Sequence, residues 1–83
     1  MEAQNTINKL ADKFETKKSN NDAYVAYDNY ELHELLNDEC VSFEEIMDQD
    51  TWIFSDGSYI TRNTDEYWVG NDVDDFKVTA ETC

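Results

Sequence analysis

The sequence predicts an α+β fold, in which two to three helices, mostly N-terminal, pack on a three- to four-stranded antiparallel sheet. Two observations support this prediction. Before residue 50, apolar residues recur mostly at helical spacing, whereas from Thr51 onward apolar and polar residues alternate with a period of two. A length of 83 residues leaves room for one core, so we expect residues 1–83 to form a single domain.

The first helix is predicted in "AQNTINKLADKFETKKS", residues 3–19. Apolar side chains follow the helical period, and lysines fill the last turn, where positive charge complements the helix dipole. The segment "SNND", residues 19–22, ends this helix. The apolar residues that define the predicted buried stripe are Ala3, Ile7, Leu10, Ala11 and Phe14.

The next segment, "DAYVAYDNYELHELLNDE", residues 22–39, favours a helix from about 23 to 37. Val25, Leu32 and Leu36 would then share one stripe. A second possibility stays open, in which "AYVAY" forms a short strand and the helix starts at a capping box made by Asp28 and Glu31.

A short third helix is predicted in "CVSFEEIMDQD", residues 40–50. Ser42 is the expected N-cap and Glu45 stands three residues later, as in a capping box. Val41 is placed to pack against Ile46 as a hydrophobic staple.

Asp56-Gly57 lies between two alternating runs and predicts a β-hairpin over residues 51–62. A two-residue turn pairs Phe54 with Tyr59, Ile53 with Ile60, and Trp52 with Thr61. The loop "NTDE" returns the chain as a third strand, with Trp68 beside Thr61 and Val69 beside Ile60. The segment "DDFKVTA", residues 74–80, is a candidate fourth strand.

The predicted register gives the sheet an aliphatic and an aromatic face. Helices on one side of a small sheet cover only one of these faces. The aromatic face is therefore either an exposed binding surface or the second half of a core that the first helix covers. The aliphatic face holds Ile53, Ile60 and Val69, and the aromatic face holds Trp52, Phe54, Tyr59 and Trp68.

Charge is the most unusual property of the chain. Twenty Asp and Glu against six Lys and Arg give a net charge of −14, beyond the magnitude of roughly 2 to 8 that solubility requires in a small domain. Residues 1–18 hold three acids and four lysines, for +1, whereas residues 19–83 hold 17 acids, Arg62 and Lys77, for −15. This sign excludes a basic nucleic-acid-binding patch, and a partner selected by charge must be basic.

The sequence gives little support for chemistry. His33 and Cys40 match no thiol-hydrolase spacing, so we expect no enzyme, and His33 is interpreted as an ordinary helix residue. No EF-hand loop is present, and we expect no metal site and no cofactor. Cys40 and Cys83 have no metal-binding spacing and are expected to be free thiols, with a bridge between them left open. Neither a signal peptide nor a membrane span is evident, which predicts a cytosolic protein.

Several acids occupy positions that should destabilise the predicted helices. Asp38 and Glu39 end the second helix, where the dipole is negative, and Asp48 and Asp50 end the third. Glu34 with Asp38, and Glu44 with Asp48, are like-charge pairs at i,i+4. The acids are either a solvated coat or a surface that is retained for binding.

The clusters "ELHELLNDE", "FEEIMDQD" and "NDVDD" and the aromatic hairpin "TWIFSDGSYI" complete the pattern. In size, acidity and α+β character the chain resembles the small acidic inhibitors encoded by bacteriophages: anti-CRISPR proteins and related DNA mimics such as antirestriction proteins and uracil-DNA glycosylase inhibitors. The resemblance covers composition and no single family motif. It implies a viral protein that evades host defence by blocking the DNA-binding groove of a defence nuclease or repair enzyme in the host cytoplasm, stoichiometrically and without chemistry.

The sequence-based hypothesis is therefore a phage DNA-mimic inhibitor, first of all an anti-CRISPR protein, that binds a basic protein and neither nucleic acid nor membrane directly. Alternatives are an immunity or antitoxin protein that neutralises a basic nuclease toxin, and an acidic structural or regulatory protein. The oligomeric state is left open. The predicted phosphate-like array comprises Glu31, Glu34, Asp38, Glu39, Glu44, Glu45, Asp48 and Asp50, extended by Asp65, Glu66, Asp72, Asp74 and Asp75, with Trp52, Tyr59 and Trp68 as anchors.

Overall fold

The computed structural model describes residues 2–14, 17–18, 24–25, 30–63 and 66–82. The predicted α+β class is confirmed, with helices packed on an antiparallel sheet. The helices are α1 (Glu2–Phe14), α2 (Tyr30–Glu39) and α3 (Val73–Thr82), and the strands are β1 (Lys17–Lys18), β2 (Tyr24–Val25), β3 (Ser42–Ile46), β4 (Gln49–Ile53), β5 (Tyr59–Asn63) and β6 (Glu66–Gly70).

The sheet has the strand order β1-β2-β6-β5-β4-β3, and all neighbouring strands are antiparallel. The four five-residue strands β3 to β6 form an up-and-down meander, which agrees with the predicted strand number. The two-residue strands β1 and β2 widen the sheet beside β6. Within the described part of the chain, β3 forms the opposite edge.

Helix α1 confirms the first predicted helix. Ala3, Ile7 and Leu10 are buried against the sheet and α2, as the helical spacing predicts. The helix ends at Phe14, before the lysines that were expected in its last turn.

Helix α2 begins at Tyr30 and not near residue 23. Tyr24 and Val25 form β2, which pairs with β6, so the alternative with a short strand before the helix is correct. Leu32 and Leu36 are fully buried, as predicted. The proposed cap at Asp28 lies outside the described residues.

The third predicted helix is wrong, because residues 42–53 form the hairpin β3–β4. Ser42 pairs with Ile53 and caps no helix. Met47 and Asp48 make the two-residue turn with φ angles of 54° and 62°, the backbone of a type I′ turn. Pairing with β4 outweighs the local capping signals, and Met-Asp lacks the Asn-Gly signature by which such turns are recognised.

The predicted hairpin at 51–62 is confirmed, but its loop is one residue longer than expected. The Phe54 N–H donates to the Ser58 carbonyl at 2.9 Å, and the Gly57 N–H donates to the Phe54 carbonyl at 3.0 Å. Gly57 has a φ of 86°, so the glycine closes a three-residue loop in the left-handed conformation, which few other residues adopt. The register shifts by one: Ile53 pairs with Tyr59, Trp52 with Ile60, and Thr51 with Thr61.

The predicted pairing of the next two strands is confirmed. Thr61 pairs with Trp68 and Ile60 pairs with Val69 across β5 and β6. Together with the new β4 register, this places Trp52, Ile60 and Val69 on one face, with Ile53 and Tyr59 on the other.

Both faces of the sheet are covered, in contrast to the one-sided arrangement that was expected. Helices α1 and α2 cover the face of Trp52 and Ile60, while α3 packs on the other face through Val73 and Phe76. The segment predicted as a fourth strand is therefore a helix. Its start is set by Asp72, whose carboxylate accepts the N–H groups of Asp74 and Asp75.

The β4–β5 loop also holds the start of α1. The Asp56 carboxylate accepts the Glu2 N–H at 2.9 Å, and the Ser58 hydroxyl accepts the Ala3 N–H at 3.0 Å. In return, the N–H and hydroxyl of Ser55 donate to the Glu2 carboxylate. The hydrogen bond from the Ser58 hydroxyl, and to a smaller extent the one from the Glu2 N–H, lowers the pKa of Asp56 to about 2. Side chains distant in sequence thus cap the first turn of α1.

Candidate acidic binding surface

Four exposed carboxylates lie along α2, and we call Glu31, Glu34, Asp38 and Glu39 the acidic ridge. All four are exposed, while Leu32 and Leu36 on the inner side are buried. At 1.5 Å per residue, the ridge spans about 12 Å of helix axis. One strand of duplex DNA carries about one phosphate per 3.4 Å of axis, or roughly 3.5 over the same length. The ridge therefore has the linear charge density of one DNA strand.

The C-terminal end of α2 is an unfavourable place for this charge. Asp38 and Glu39 lie in its last turn, which has no basic residue, and each carboxylate there costs about 0.3 to 1 kcal/mol. Glu34 and Asp38 form a like-charge i,i+4 pair on a true helix, which adds a few tenths of a kcal/mol. The predicted positions of these acids are confirmed for α2, and their cost in stability stays a prediction.

The β3–β4 hairpin carries the second group of acids, but without the predicted helix penalties. Asp48 lies in the turn and Asp50 in a strand, so neither stands at a helix end, and Glu44 and Asp48 are not an i,i+4 helical pair. Glu44 accepts a 2.6 Å salt bridge from Lys77, which raises the pKa of that lysine, and Asp50 lies 3.5 Å from Arg62.

Glu45 and Asp48 are exposed, and in the described part of the chain neither has an ion-pair partner. They extend the acidic surface beyond α2 to the edge and the tip of the hairpin. Between residues 30 and 53 the sequence has eight carboxylates and no Lys or Arg.

The ridge and the β3–β4 hairpin lie on adjoining elements. Helix α2 leads into β3 through Cys40 and Val41, whose N–H groups donate to the carbonyls of Leu36 and Ile53 at 3.0 and 2.8 Å. The Trp52 indole N–H donates to the Asn37 side-chain oxygen at 2.8 Å and ties α2 to β4. The eight acids of the central array therefore lie on two adjoining elements, but Glu44 points to the face of the sheet that α3 covers, where Lys77 binds it.

The acids that were expected to extend this array lie elsewhere. Asp72, Asp74 and Asp75 belong to the start of α3, on the opposite face of the sheet from α2. There they cap the helix and complement its positive end, a local structural role. Glu66 is half-buried at the start of β6, beside β2. Asp65 lies outside the described residues.

The prediction that Trp52 is an exposed anchor is wrong. Its side chain is only 1 % exposed and lies beneath α1 and α2, so the alternative of a covered core is correct for this residue. Its ring contacts Tyr67 at 6.2 Å and His33 at 5.4 Å between centroids. His33 lies in α2 as expected and reaches the Tyr67 hydroxyl at 2.6 Å.

Tyr59 and Trp68 are half-buried on the face that α3 partly covers. Tyr59 stacks on Phe76 at 4.8 Å with nearly parallel rings, and its ring lies so close to Gly70 that a Cβ there would overlap it. Burial is the main cause of a raised pKa of Tyr59, and the negative charges of Asp75 and Asp72 add to it. A role for Tyr59 and Trp68 as anchors stays a prediction.

Sequence reasoning missed three apolar side chains at the edge of the sheet. Val41, Phe43 and Met47 are 65 %, 50 % and 48 % exposed and lie on or beside β3. The sequence does not predict their exposure, because its local signals assign the segment to a helix in which Val41 packs against Ile46. The available signal was that the stripe of Phe43, Ile46 and Met47 does not continue at positions 50 and 51, which hold Asp and Thr.

Cys40 is half-buried at the end of α2, and its thiol lies 3.4 Å from the Asn37 carbonyl. Burial raises the pKa of this thiol, which favours its protonated form. Cys83, the other cysteine of the expected free thiols, lies outside the described residues.

Comparison of the chain with known protein families, with curated proteins and with solved structures gives no match. None of the helices in the described ranges has the length and apolar character that crossing a membrane requires. Among the same residues, His, Cys, Asp and Glu side chains form no group of three or more that would suit a metal ion.

Proposed function

We propose that the protein is a phage-encoded DNA mimic that occupies the nucleic-acid-binding site of a bacterial defence nuclease, with a CRISPR effector as the first candidate. It would act in the cytoplasm of the infected host as a stoichiometric inhibitor, without catalysis. The observation that supports this proposal is a run of eight carboxylates without Lys or Arg between residues 30 and 53, carried by the adjoining α2 and β3–β4 hairpin.

The arrangement suits a groove lined by Lys and Arg. A rigid ridge with the charge density of a DNA strand would meet cations that are already placed for phosphates. Long-range attraction would speed the encounter, and salt would weaken it, because charges are screened beyond about 10 Å at 0.1 M ionic strength.

Charge mainly governs association rate, so a tight inhibitor also needs desolvated apolar contacts. With Trp52 buried, Val41, Phe43 and Met47 are the exposed apolar side chains nearest the acids. Phe43 is the strongest candidate anchor of the three, because aromatic side chains are enriched at the centres of interfaces.

The order of addition tests this proposal directly. The protein should inhibit DNA cleavage by a purified CRISPR effector when it is added before the target DNA, and lose at least about tenfold in potency when DNA is bound first. Raising salt from about 0.1 to 0.5 M should weaken binding strongly. Equal inhibition with DNA already bound would contradict mimicry. A panel of CRISPR, restriction and repair enzymes identifies the target class.

The exposed apolar edge also favours a second candidate, an immunity or antitoxin protein that binds a specific patch on a basic nuclease toxin. Such a protein would use the same acids together with Val41 and Phe43. It differs in one measurable respect, because binding outside the nucleic-acid site leaves the complex intact when competing DNA is added.

A further inference from the structure

We infer that the open edge of β3 is a docking site for a basic, extended segment of a partner protein, which would join the sheet as an additional strand. This inference goes beyond the proposed function, because it requires a basic protein segment and not a nucleic-acid-binding site. Addition of a strand gives affinity through main-chain hydrogen bonds and selectivity through alternate side chains.

The hairpin turn determines which backbone groups of β3 face β4. Ile46 and Gln49 flank the two-residue turn and are register partners, so they form a hydrogen-bonded pair. Such pairs alternate along an antiparallel ladder, and Glu44 is the next residue bonded to β4. The N–H and C=O groups of Phe43 and Glu45 therefore point toward the open edge.

No strand pairs with this edge within the ranges that the structure describes. Ser42, Phe43, Glu44 and Glu45 are all exposed. Unpaired backbone groups along an exposed edge strand are a template for another chain, so proteins usually protect such edges.

Exposed apolar area coincides with the same edge. Of the four large apolar side chains exposed among the described residues, Val41, Phe43 and Met47 lie on or beside β3, and Val78 lies on α3. The Phe43 ring packs edge-on against Trp52 at 5.6 Å, which holds it in place at the rim of the core. A pairing strand would cover this apolar area.

The charges of the edge select the occupant. Glu44 and Glu45 point to opposite faces of the sheet, and Asp48 follows at the hairpin tip. A strand with Lys or Arg on the face of Glu45 finds a carboxylate without an ion-pair partner in the described part of the chain, whereas Glu44 on the other face is already bound by Lys77. Opposite charges across strands are favourable. A second copy of the chain would place Glu opposite Glu, against a net charge of −14 on each copy, so self-pairing is disfavoured.

Amide hydrogen exchange with a model peptide tests the inference on the intact protein. The probe is a peptide of about eight alternating Lys and Thr residues at about 0.1 M salt. Its binding should slow exchange of the Phe43 and Glu45 amides at least about fivefold. The exchange rates of the Ser42 and Glu44 amides should not change, because the backbone N–H groups of both residues point toward β4 and not toward the open edge.

The control peptide has the same charge, but the backbone nitrogens of its four central residues are methylated. These residues then have no N–H group that could donate a hydrogen bond to β3. The control peptide should bind about tenfold more weakly. Glu45→Gln should weaken the unmodified peptide several-fold, whereas Glu66→Gln, the same charge change on β6, should not.

Three results would overturn the inference: equal affinity for both peptides, protection spread over α2 without the alternation, or no binding. Slowed exchange of Phe43 and Glu45 on raising protein concentration without peptide would instead make a second copy the occupant. These outcomes are separate from those of the inhibition assay, which reports competition with DNA and not backbone pairing.

Discussion

The backbone conformation of a few residues determines the shape of the acidic surface. Gly57 adopts a positive φ at no steric cost, whereas Met47 and Asp48 do so as residues with a Cβ, at roughly 1 to 2 kcal/mol each. The tip of the β3–β4 hairpin is therefore strained in the native state. This strain is also why the hairpin escapes recognition in the sequence, since the usual signal for such a turn is Asn-Gly.

Replacement of Met47 and Asp48 together by Asn and Gly should raise the free energy of unfolding by about 1 to 2 kcal/mol, because these residues suit the left-handed conformation. Chemical denaturation measures the change. The control is replacement of both residues by Ala, which removes the same side chains but keeps the strain and should give no gain. Equal stability of the two variants would contradict a type I′ turn.

The elements differ in how far local sequence predicts them. Helix α1 and the β5–β6 register follow from periodicity alone, and both are confirmed. Residues 40–50 carry helix-start signals, but residues 42–46 instead pair with β4. Propensities of neighbouring residues do not predict this pairing, because it depends on the rest of the sheet. Helix α3 replaces the predicted strand. Phe76, Val78 and Ala80 alternate with polar residues as in a strand, but the Asp72 carboxylate caps a helix at this point.

The local sequence pattern also does not predict which helices cover each face of the sheet. Alternation correctly predicts that Trp52 and Ile53 face opposite sides, but not which side the helices take. Helices α1 and α2 cover the side of Trp52 and Phe54, where burial of large aromatic area is most favourable. The exposed anchor was therefore assigned to the wrong residue.

Docking of α1 on the β4–β5 loop should respond to pH through Asp56. The pKa of this carboxylate is about 2 in the folded protein, against 3.8 for the ordinary group. Because the folded pKa is depressed, the stabilisation is present above about pH 3.8 and is lost as pH falls toward 2.

The measurement is the stability difference between the native protein and Asp56→Asn, followed by denaturation from pH 5 to about pH 2. The difference should favour the native protein at pH 5 and shrink through the interval from 4 to 2. Comparison with Asn isolates this carboxylate, since the other acids titrate in both proteins. A difference independent of pH would contradict the proposed role of Asp56.

Among the described residues, the acids at the start of α3 differ from those at the end of α2. Asp72, Asp74 and Asp75 cap α3 or complement the positive end of its dipole, and Glu44 and Asp50 form salt bridges. Asp38 and Glu39 are exposed at the negative end of α2, where we expect them to destabilise the helix. The eight predicted acids between residues 30 and 53 lie on the adjoining α2 and β3–β4 hairpin, and their role in binding stays a prediction. The sheet separates α2 from the acids at the start of α3.

The proposed function requires that the ridge is retained for binding at the expense of stability. A ridge variant with Glu34→Gln, Asp38→Asn and Glu39→Gln removes three negative charges. It should gain about 1 to 2 kcal/mol in unfolding free energy, because unfavourable dipole and like-charge interactions disappear. Its potency against the target nuclease should fall at least about tenfold.

The decisive measurement compares this ridge variant with a control that carries the same charge change elsewhere: Glu66→Gln, Asp74→Asn and Asp75→Asn. Thermal denaturation and nuclease inhibition are measured for both. We expect the ridge variant to be more stable and weakly inhibitory, and the control to be less stable and fully inhibitory, because Asp74 and Asp75 support α3. Equal loss of inhibition in both variants, or full inhibition by the ridge variant, would contradict a DNA-mimicking role for the ridge.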